Sequence, residues 1–92
     1  MKYDYRFTPQ AQIALRKLAR KNPKAAQAIA RKIEWLVEYA DEIAHQPIKN
    51  SSFFSLHNGP FRIPYLLDAA NRQIVIDDIA QHDAAYDHIN KL

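Results

Sequence analysis

Two apolar stretches near the end of the chain decide the fold: GPFRIPYLLD (residues 59–68) and QIVIDDIAQHDAAY (residues 73–86). The first stretch and the start of the second, to about residue 79, are predicted strands, and a short helix is predicted over about residues 81–90. Asn58-Gly59 precedes the first of these strands, and because both residues tolerate positive φ the pair predicts a two-residue hairpin turn. The sequence therefore predicts an antiparallel meander of three strands followed by a short C-terminal helix.

This turn sets a register that pairs Ser55 with Arg62 and sorts the side chains onto two faces. Pro64 has no N–H, so we expect it at a bulge or where no neighbouring strand needs a donor. The predicted helix-facing side consists of Phe54, Leu56, Phe61, Ile63, Tyr65 and Leu67. The predicted open side, called here the open face, consists of Phe53, Ser55, His57, Arg62 and Leu66.

The first half of the chain predicts one strand and two helices. YDYRF (residues 3–7) alternates aromatic and charged residues, which is typical of a half-buried strand. Thr8-Pro9 and Asn22-Pro23 each supply an N-cap followed by proline, so helices should begin there, the first ending near Lys21. The apolar stripes are Ala11, Leu15 and Leu18 on the first helix, and Ile29, Ile33, Leu36, Ala40 and Ile43 on the second.

Together these elements predict an α+β fold. An N-terminal strand and a two-helix hairpin pack on a small antiparallel sheet, and a short C-terminal helix follows. The length of 92 residues predicts one domain, residues 1–92, with a modest core. The absence of cysteine excludes disulfides, thiolate nucleophiles and the usual structural zinc sites. We expect a cytoplasmic protein without a membrane span, because no apolar run approaches ~18 residues and the first residues lack a signal peptide's apolar core.

Positive charge is concentrated in the first third of the chain. Residues 1–32 contain nine of the thirteen Lys and Arg residues and one acid, whereas residues 33–92 contain four bases and nine acids. This asymmetry favours a polyanion-facing surface on the helices, since neutralising phosphates releases counterions. A solvated helix face explains the same pattern equally well.

The order of elements, the basic helical hairpin, the loop HQPIK (residues 45–49) and the strand FRIPY (residues 61–65) together resemble the RelE/ParE toxin superfamily. In that superfamily the chain typically ends in Gly-x-Tyr-Arg-(Ile/Val)-x-Tyr, an apolar strand, and a turn that closes on a tyrosine. The resemblance implies the toxin of a type II toxin-antitoxin system, with a cognate antitoxin as partner. We expect that antitoxin to cover the open face, where Phe53 and Leu66 are apolar and a strand edge is exposed.

Some members of the superfamily cut messenger RNA in the ribosomal A site without a metal, and the resemblance implies a similar activity here. Arg62 matches the strand arginine, which would bind phosphate oxygens and stabilise the charge of the transition state. His82 falls where many members carry arginine and could act as an acid or a base, and Tyr86 falls on the terminal tyrosine, which could stack on a base or share a proton. The alternative for Arg62 is an ion pair with Asp77 or Asp78 on the neighbouring strand.

Further basic residues are candidates for contacts with the RNA backbone. Lys49 matches a basic residue before the second strand of the sheet. The helical candidates are Arg16, Lys17, Arg20 and Lys21. His57 shares the face of Arg62, although histidines at hairpin ends are more often exposed and inert. We expect no metal or cofactor, because the spacing of His82, Asp83, Asp87 and His88 matches no ligand set.

Two other functions remain open. ParE-type members inhibit DNA gyrase without the catalytic residues, and the acidic balance after Lys49 favours that alternative, because acids repel an RNA backbone. An inactivated toxin that serves only as a partner for its antitoxin is the other.

Overall fold

Two helices cover one face of a mixed sheet in residues 2–81, the part of the chain that the computed structural model describes. The elements are β1 (Asp4–Phe7), α1 (Pro9–Lys21), α2 (Pro23–Tyr39), β2 (Gln46–Pro47), β3 (Phe54–Asn58), β4 (Phe61–Asp68), β5 (Gln73–Ile76) and β6 (Ala80–Gln81). The strand order is β1-β5-β4-β3-β2, and β6 also pairs with β4. The predicted α+β class is confirmed. The sequence predicted an antiparallel sheet, and one pair of strands differs from that prediction, because β1 runs parallel to β5.

The two N-caps form as the sequence predicts. The Thr8 hydroxyl accepts a hydrogen bond from the N–H of Ala11 at 3.1 Å, and the Asn22 side chain accepts one from Ala25 at 3.2 Å. Helix α2 ends at Tyr39, earlier than the predicted stripe, although Ala40 and Ile43 still pack on the core from the turn that follows. Within residues 2–81, neither helix has the length and apolarity needed to cross a membrane.

The core lies between α2 and the sheet. Fully buried side chains come from α2 (Ile29, Ile33, Leu36 and Val37) and from the strands (Ile63, Tyr65, Ile74 and Ile76). Burying each Leu or Ile contributes roughly 1.5–3 kcal/mol, so this layer provides most of the driving force for folding. In α1 the buried residue is Ala11, and the rest of its stripe is half-buried.

The hairpin between β3 and β4 turns one position later than predicted. Asn58 pairs with Phe61, and His57 pairs with Arg62, so the turn consists of Gly59 and Pro60. Gly59 takes a φ of 56°, which suits the first central position of a type II′ turn. Asn58 remains in the strand because its side-chain amide donates to the carbonyl of Ala28 at 2.9 Å. The predicted register was wrong by two residues, a shift that leaves every side chain on its predicted face.

The third strand of the meander is interrupted. β5 ends at Ile76 instead of near Ile79, because the Asp78 carboxylate accepts the N–H of Ile79 at 2.8 Å and bends the backbone away from the ladder. The N–H of Asp77 donates to the carbonyl of Pro64 at 2.9 Å. Pro64 thus lies beside this interruption. The neighbouring strand needs no donor from Pro64 there, which agrees with the prediction for a residue without an N–H. The predicted C-terminal helix was to begin near Gln81, but Gln81 lies in β6, and residues 82–92 lie outside the described part.

His45 joins the loop after α2 to the core. Its Nε2–H donates to the carbonyl of Ala40 at 2.7 Å, and its Nδ1 shares a hydrogen bond with the Tyr65 hydroxyl at 2.5 Å. Burial raises the pKa of Tyr65 above its ordinary value, so this hydroxyl stays protonated and can donate to Nδ1.

We predict that Tyr65→Phe lowers the free energy of unfolding by about 1–3 kcal/mol, because it leaves Nδ1 of His45 without its donor. Urea denaturation of the purified variant measures the change. Tyr39→Phe is the matched control, because Tyr39 is 47% exposed, and it should stay within about 0.5 kcal/mol of wild type. Equal stability of the two variants would contradict the role given to Tyr65.

We also predict that Gly59→Ala costs about 1–2 kcal/mol, because alanine is strained at positive φ. A Cβ on Gly59 would meet no atom within 4 Å, so the expected cost is conformational and not steric. Gly59→Asn should lose less stability in the same denaturation experiment, since asparagine tolerates this conformation. A loss for Gly59→Asn equal to that for Gly59→Ala would refute the conformational explanation.

Candidate functional site

Arg62 is half-buried on the open face, as predicted, because its neighbours Phe61 and Ile63 are buried against the helices. Its Nη1 donates two long hydrogen bonds, of 3.4 Å each, to the carbonyls of Gly59 and Phe61. Within residues 2–81 the guanidinium has no carboxylate at salt-bridge distance. Among the contacts of residues 2–81, most of its donors are left for an anion.

The two aspartates proposed as alternative partners of Arg62 have other contacts. Asp78 is buried and accepts the N–H of Ile79, so its carboxylate is engaged by the backbone. The backbone of Asp77 donates to Pro64 and accepts the hydroxyl of Thr8 at 2.8 Å. The ion pair considered between Arg62 and these acids is therefore not formed in the described part of the chain.

His57 lies directly opposite Arg62 across the hairpin. Burial first, and the positive charge of Arg62 second, hold the pKa of His57 below its ordinary value. The ring is therefore neutral near pH 7, and its Nε2 lies 3.0 Å from the hydroxyl of Ser55, with which it shares a hydrogen bond. Sequence reasoning rated this histidine low because it could not show the hydrogen bond or the pairing with Arg62.

A second arginine, Arg6, shares this face, and sequence reasoning missed it. Arg6 pairs with Val75 in the parallel ladder, and Val75 pairs with Leu66 on β4. Leu66 lies on the same side of β4 as Arg62, because every second side chain of a strand points to the same face. Arg6 thus lies two strands from β4 and four residues along from Arg62, or roughly 16 Å away by standard strand spacings. The alternation in residues 3–7 indicated that Arg6 faces away from the helices, but not which strand lies beside β1.

The structure does not bring the other predicted site residues beside Arg62. Lys49 is exposed in the loop between β2 and β3, at the end of β3 away from His57. The helical bases lie on the opposite side of the sheet. There, Arg16, Lys17 and Arg20 surround the half-exposed Ile13, and Lys17 and Lys21 border a groove of about 360 Å³ beside Phe61 and Ile79. The predicted catalytic residues His82 and Tyr86 lie outside the described residues.

This arrangement provides an anion site with a proton-accepting group beside it. Arg62 can bind two phosphate oxygens, and the neutral His57 ring can accept a proton at physiological pH. Leu66 and Val75 give the same face an apolar strip between Arg62 and Arg6, on which a base or an apolar side chain can pack. The open face therefore suits a phosphodiester better than a small neutral metabolite.

No protein-family model and no curated protein sequence matches this chain. Among solved structures, the chain is similar to the RelBE2 toxin-antitoxin complex from Mycobacterium tuberculosis, with a TM-score of 0.74 and 23% identity over 89% of this chain and 100% of that one. It is also similar to a mutant of the E. coli toxin RelE in the free state, with a TM-score of 0.73 and 15% identity over 99% and 93% of the two chains. A third similar structure is the chromosomal ParDE system from P. aeruginosa, with a TM-score of 0.70 and 21% identity over 88% and 97%.

This chain has the same fold as these structures, which is the fold that the resemblance in its sequence implied. Of these structures, the first is a toxin-antitoxin complex and the second is a free toxin.

We predict that Arg62→Ala raises the pKa of His57 toward its ordinary value, because the variant removes a positive charge and some of the burial that disfavour the imidazolium. Titration of the histidine ring protons by NMR measures this shift. Arg6→Ala is the control, because at roughly 16 Å its charge is screened at physiological salt and the pKa should not move. An unchanged pKa in Arg62→Ala would show that Arg62 does not act on this ring.

Proposed function

We propose that this protein is the toxin of a type II toxin-antitoxin system and that it cleaves messenger RNA on the ribosome. The observation that carries the proposal is the position of Arg62, half-buried on the open face, beside a neutral histidine and without a carboxylate partner in residues 2–81. The toxin fold supports the toxin role, and the site chemistry supports cleavage of RNA.

The proposed reaction needs no metal. The ribose 2′-oxygen attacks the neighbouring phosphorus, the bond to the 5′-oxygen breaks, and a 2′,3′-cyclic phosphate forms. One group removes the proton of the 2′-hydroxyl and another donates a proton to the leaving 5′-oxygen. Arg62 stabilises the added negative charge on the phosphorane, and His57 can serve in either proton transfer. His82 and Tyr86 remain predicted participants in these transfers.

The basic surface of α1 supports binding to a large polyanion. Arg16, Lys17 and Arg20 are exposed on one side of the helix, and each phosphate that they neutralise releases counterions. Because this surface and Arg62 lie on opposite sides of the sheet, α1 would contact a separate part of the ribosome and not the cleaved phosphate. Lys49 could contact the message upstream or downstream of Arg62.

The proposed regulator is an antitoxin encoded beside this gene. Strands β1 and β2 end the sheet on either side and offer backbone donors and acceptors for an added strand. The half-buried Phe53 and Leu66 offer apolar contacts on the open face. The similar RelBE2 structure is a toxin-antitoxin complex, and we propose that here the antitoxin covers Arg62.

A second candidate is a toxin that binds DNA gyrase without cleaving anything. The observation that favours it is the scarcity of other basic side chains around Arg62. In residues 2–81 the titratable group beside Arg62 is His57, and Lys49 lies at the far end of β3. The similarity to the ParDE structure is compatible with this candidate.

We predict that induced expression arrests bacterial growth and produces new 5′ ends inside translated messages, and that Arg62→Ala lowers this cleavage by about 100-fold or more. Primer extension maps the ends, and growth curves measure the arrest. Arg62→Lys keeps the charge but loses bidentate binding, so it should retain partial activity.

Lys24→Ala is the control for general loss of positive charge, because Lys24 is exposed at the start of α2 and away from the open face. It should cleave as wild type does, and circular dichroism should show that every variant is folded. Arrest without new RNA ends would refute the nuclease and favour the gyrase-binding toxin. Absence of arrest by the folded wild-type protein would leave only the inactive, antitoxin-binding alternative.

A further inference from the structure

The outward face of α2 carries two large aromatic side chains that the fold leaves exposed. Trp35 is 39% and Tyr39 is 47% exposed, and their ring centroids lie 6.2 Å apart, one turn from each other. The Lys32 Nζ lies 4.1 Å from the centroid of the Trp35 ring, so a cation already covers part of that ring. Trp and Tyr are the residues most enriched at the centres of protein interfaces, which makes this patch a candidate contact surface.

The charges around this patch change sign at Trp35. Before it, the outward face carries Lys24, Arg31 and Lys32; after it come Glu38 and, in the turn that follows α2, the exposed Glu42. Glu34 is an acid that precedes Trp35 and so departs from this pattern. Its carboxylate accepts a hydrogen bond from the hydroxyl of Tyr5 on β1 at 2.9 Å.

This order of charges, with bases first and acids last, is the reverse of the order that would stabilise helix α2. The helix dipole favours acids in the first turn and bases in the last, yet α2 has no acid in its first turn and no base in its last. The stability of the isolated helix therefore does not explain the pattern. A partner that presents the opposite order of charges does explain it.

We propose that α2 is the contact surface of a homodimer, in which two copies of the chain pack their α2 helices antiparallel across a two-fold axis near Trp35. In this arrangement the basic half of each helix faces the acidic half of its partner, and the same favourable pairing occurs twice. The two Trp35 rings meet at the axis, where water is excluded. A nucleic acid would be repelled by Glu38 and Glu42, and a uniformly charged peptide would meet like charge on half of the patch.

The expected dimer is moderate in strength and leaves the proposed site open. The 17 residues of α2 span about 26 Å, so the contact is at the small end of specific interfaces and the association should depend on concentration. Helix α2 and Arg62 lie on opposite sides of the sheet. The dimer would therefore present two open faces, and the proposal does not depend on what those faces bind.

Sedimentation velocity over a range of concentrations tests the proposal, since the chain has a mass of 10.7 kDa and the dimer twice that. One variant combines Arg31→Glu with Lys32→Glu, and a second combines Glu38→Lys with Glu42→Lys. Each variant carries charges of one sign at residues 31, 32, 38 and 42 and should remain monomeric alone. Mixed together, the two variants should associate, and the chain carrying all four changes should dimerise again, because each case restores opposite charges across the axis.

Two further variants define the patch. Trp35→Ala should weaken dimerisation by about 30-fold or more, as expected for a central aromatic residue. Arg16→Glu with Arg20→Glu makes the same charge change on α1 and should leave dimerisation unaltered.

The proposal is wrong if the folded wild-type chain stays monomeric at every concentration, or if the two oppositely charged variants do not associate when mixed. Protection of Trp35 by antitoxin alone, with no self-association, would assign this face to the antitoxin and also overturn the homodimer.

Discussion

Burial of alternate side chains of β4 against the two helices is the constraint on which the rest of the structure depends. Ile63 and Tyr65 are no more than 1% exposed, and Phe61 is also buried, so β4 has one allowed orientation. A slip of one residue would place the charge of Arg62 in the apolar layer, at a cost larger than a domain of this size can bear. The hydrophobic effect thus places Arg62 on the open face, although Arg62 contributes little to the core itself.

Much of this arrangement could be predicted because it follows from local periodicity. Helix α1 begins and ends where its proline, its N-cap and its charged last turn indicate. The faces of β3 and β4 were predicted correctly from the wrong turn, since side chains repeat every two residues and the register error was also two. The turn itself could not be chosen locally, because the contact between Asn58 and Ala28 joins residues thirty positions apart.

What the sequence could not show depends on which strands become neighbours. Arg6 reaches the open face next to Val75 through the parallel pairing of β1 with β5, which connects the two ends of the described chain. Asp78 was one of the two acids considered as an ion-pair partner of Arg62, but its carboxylate is turned to the backbone of Ile79. The order of charges along the chain could not show this contact, because the distance and direction of a carboxylate decide its effect on an arginine.

The sheet divides the charged surface of the protein into regions that act independently. The bases of α1 lie on the helical side, and Arg62 and Arg6 lie on the other, with a layer of apolar side chains between them. Helix and sheet layers are separated by about 10 Å, which exceeds the Debye length of about 8 Å at physiological salt, so exposed charges on the two sides barely interact through water. A polyanion that contacts both sides must be large enough to surround an edge of the sheet. A large folded RNA meets this condition, whereas a short single-stranded segment can contact one side only.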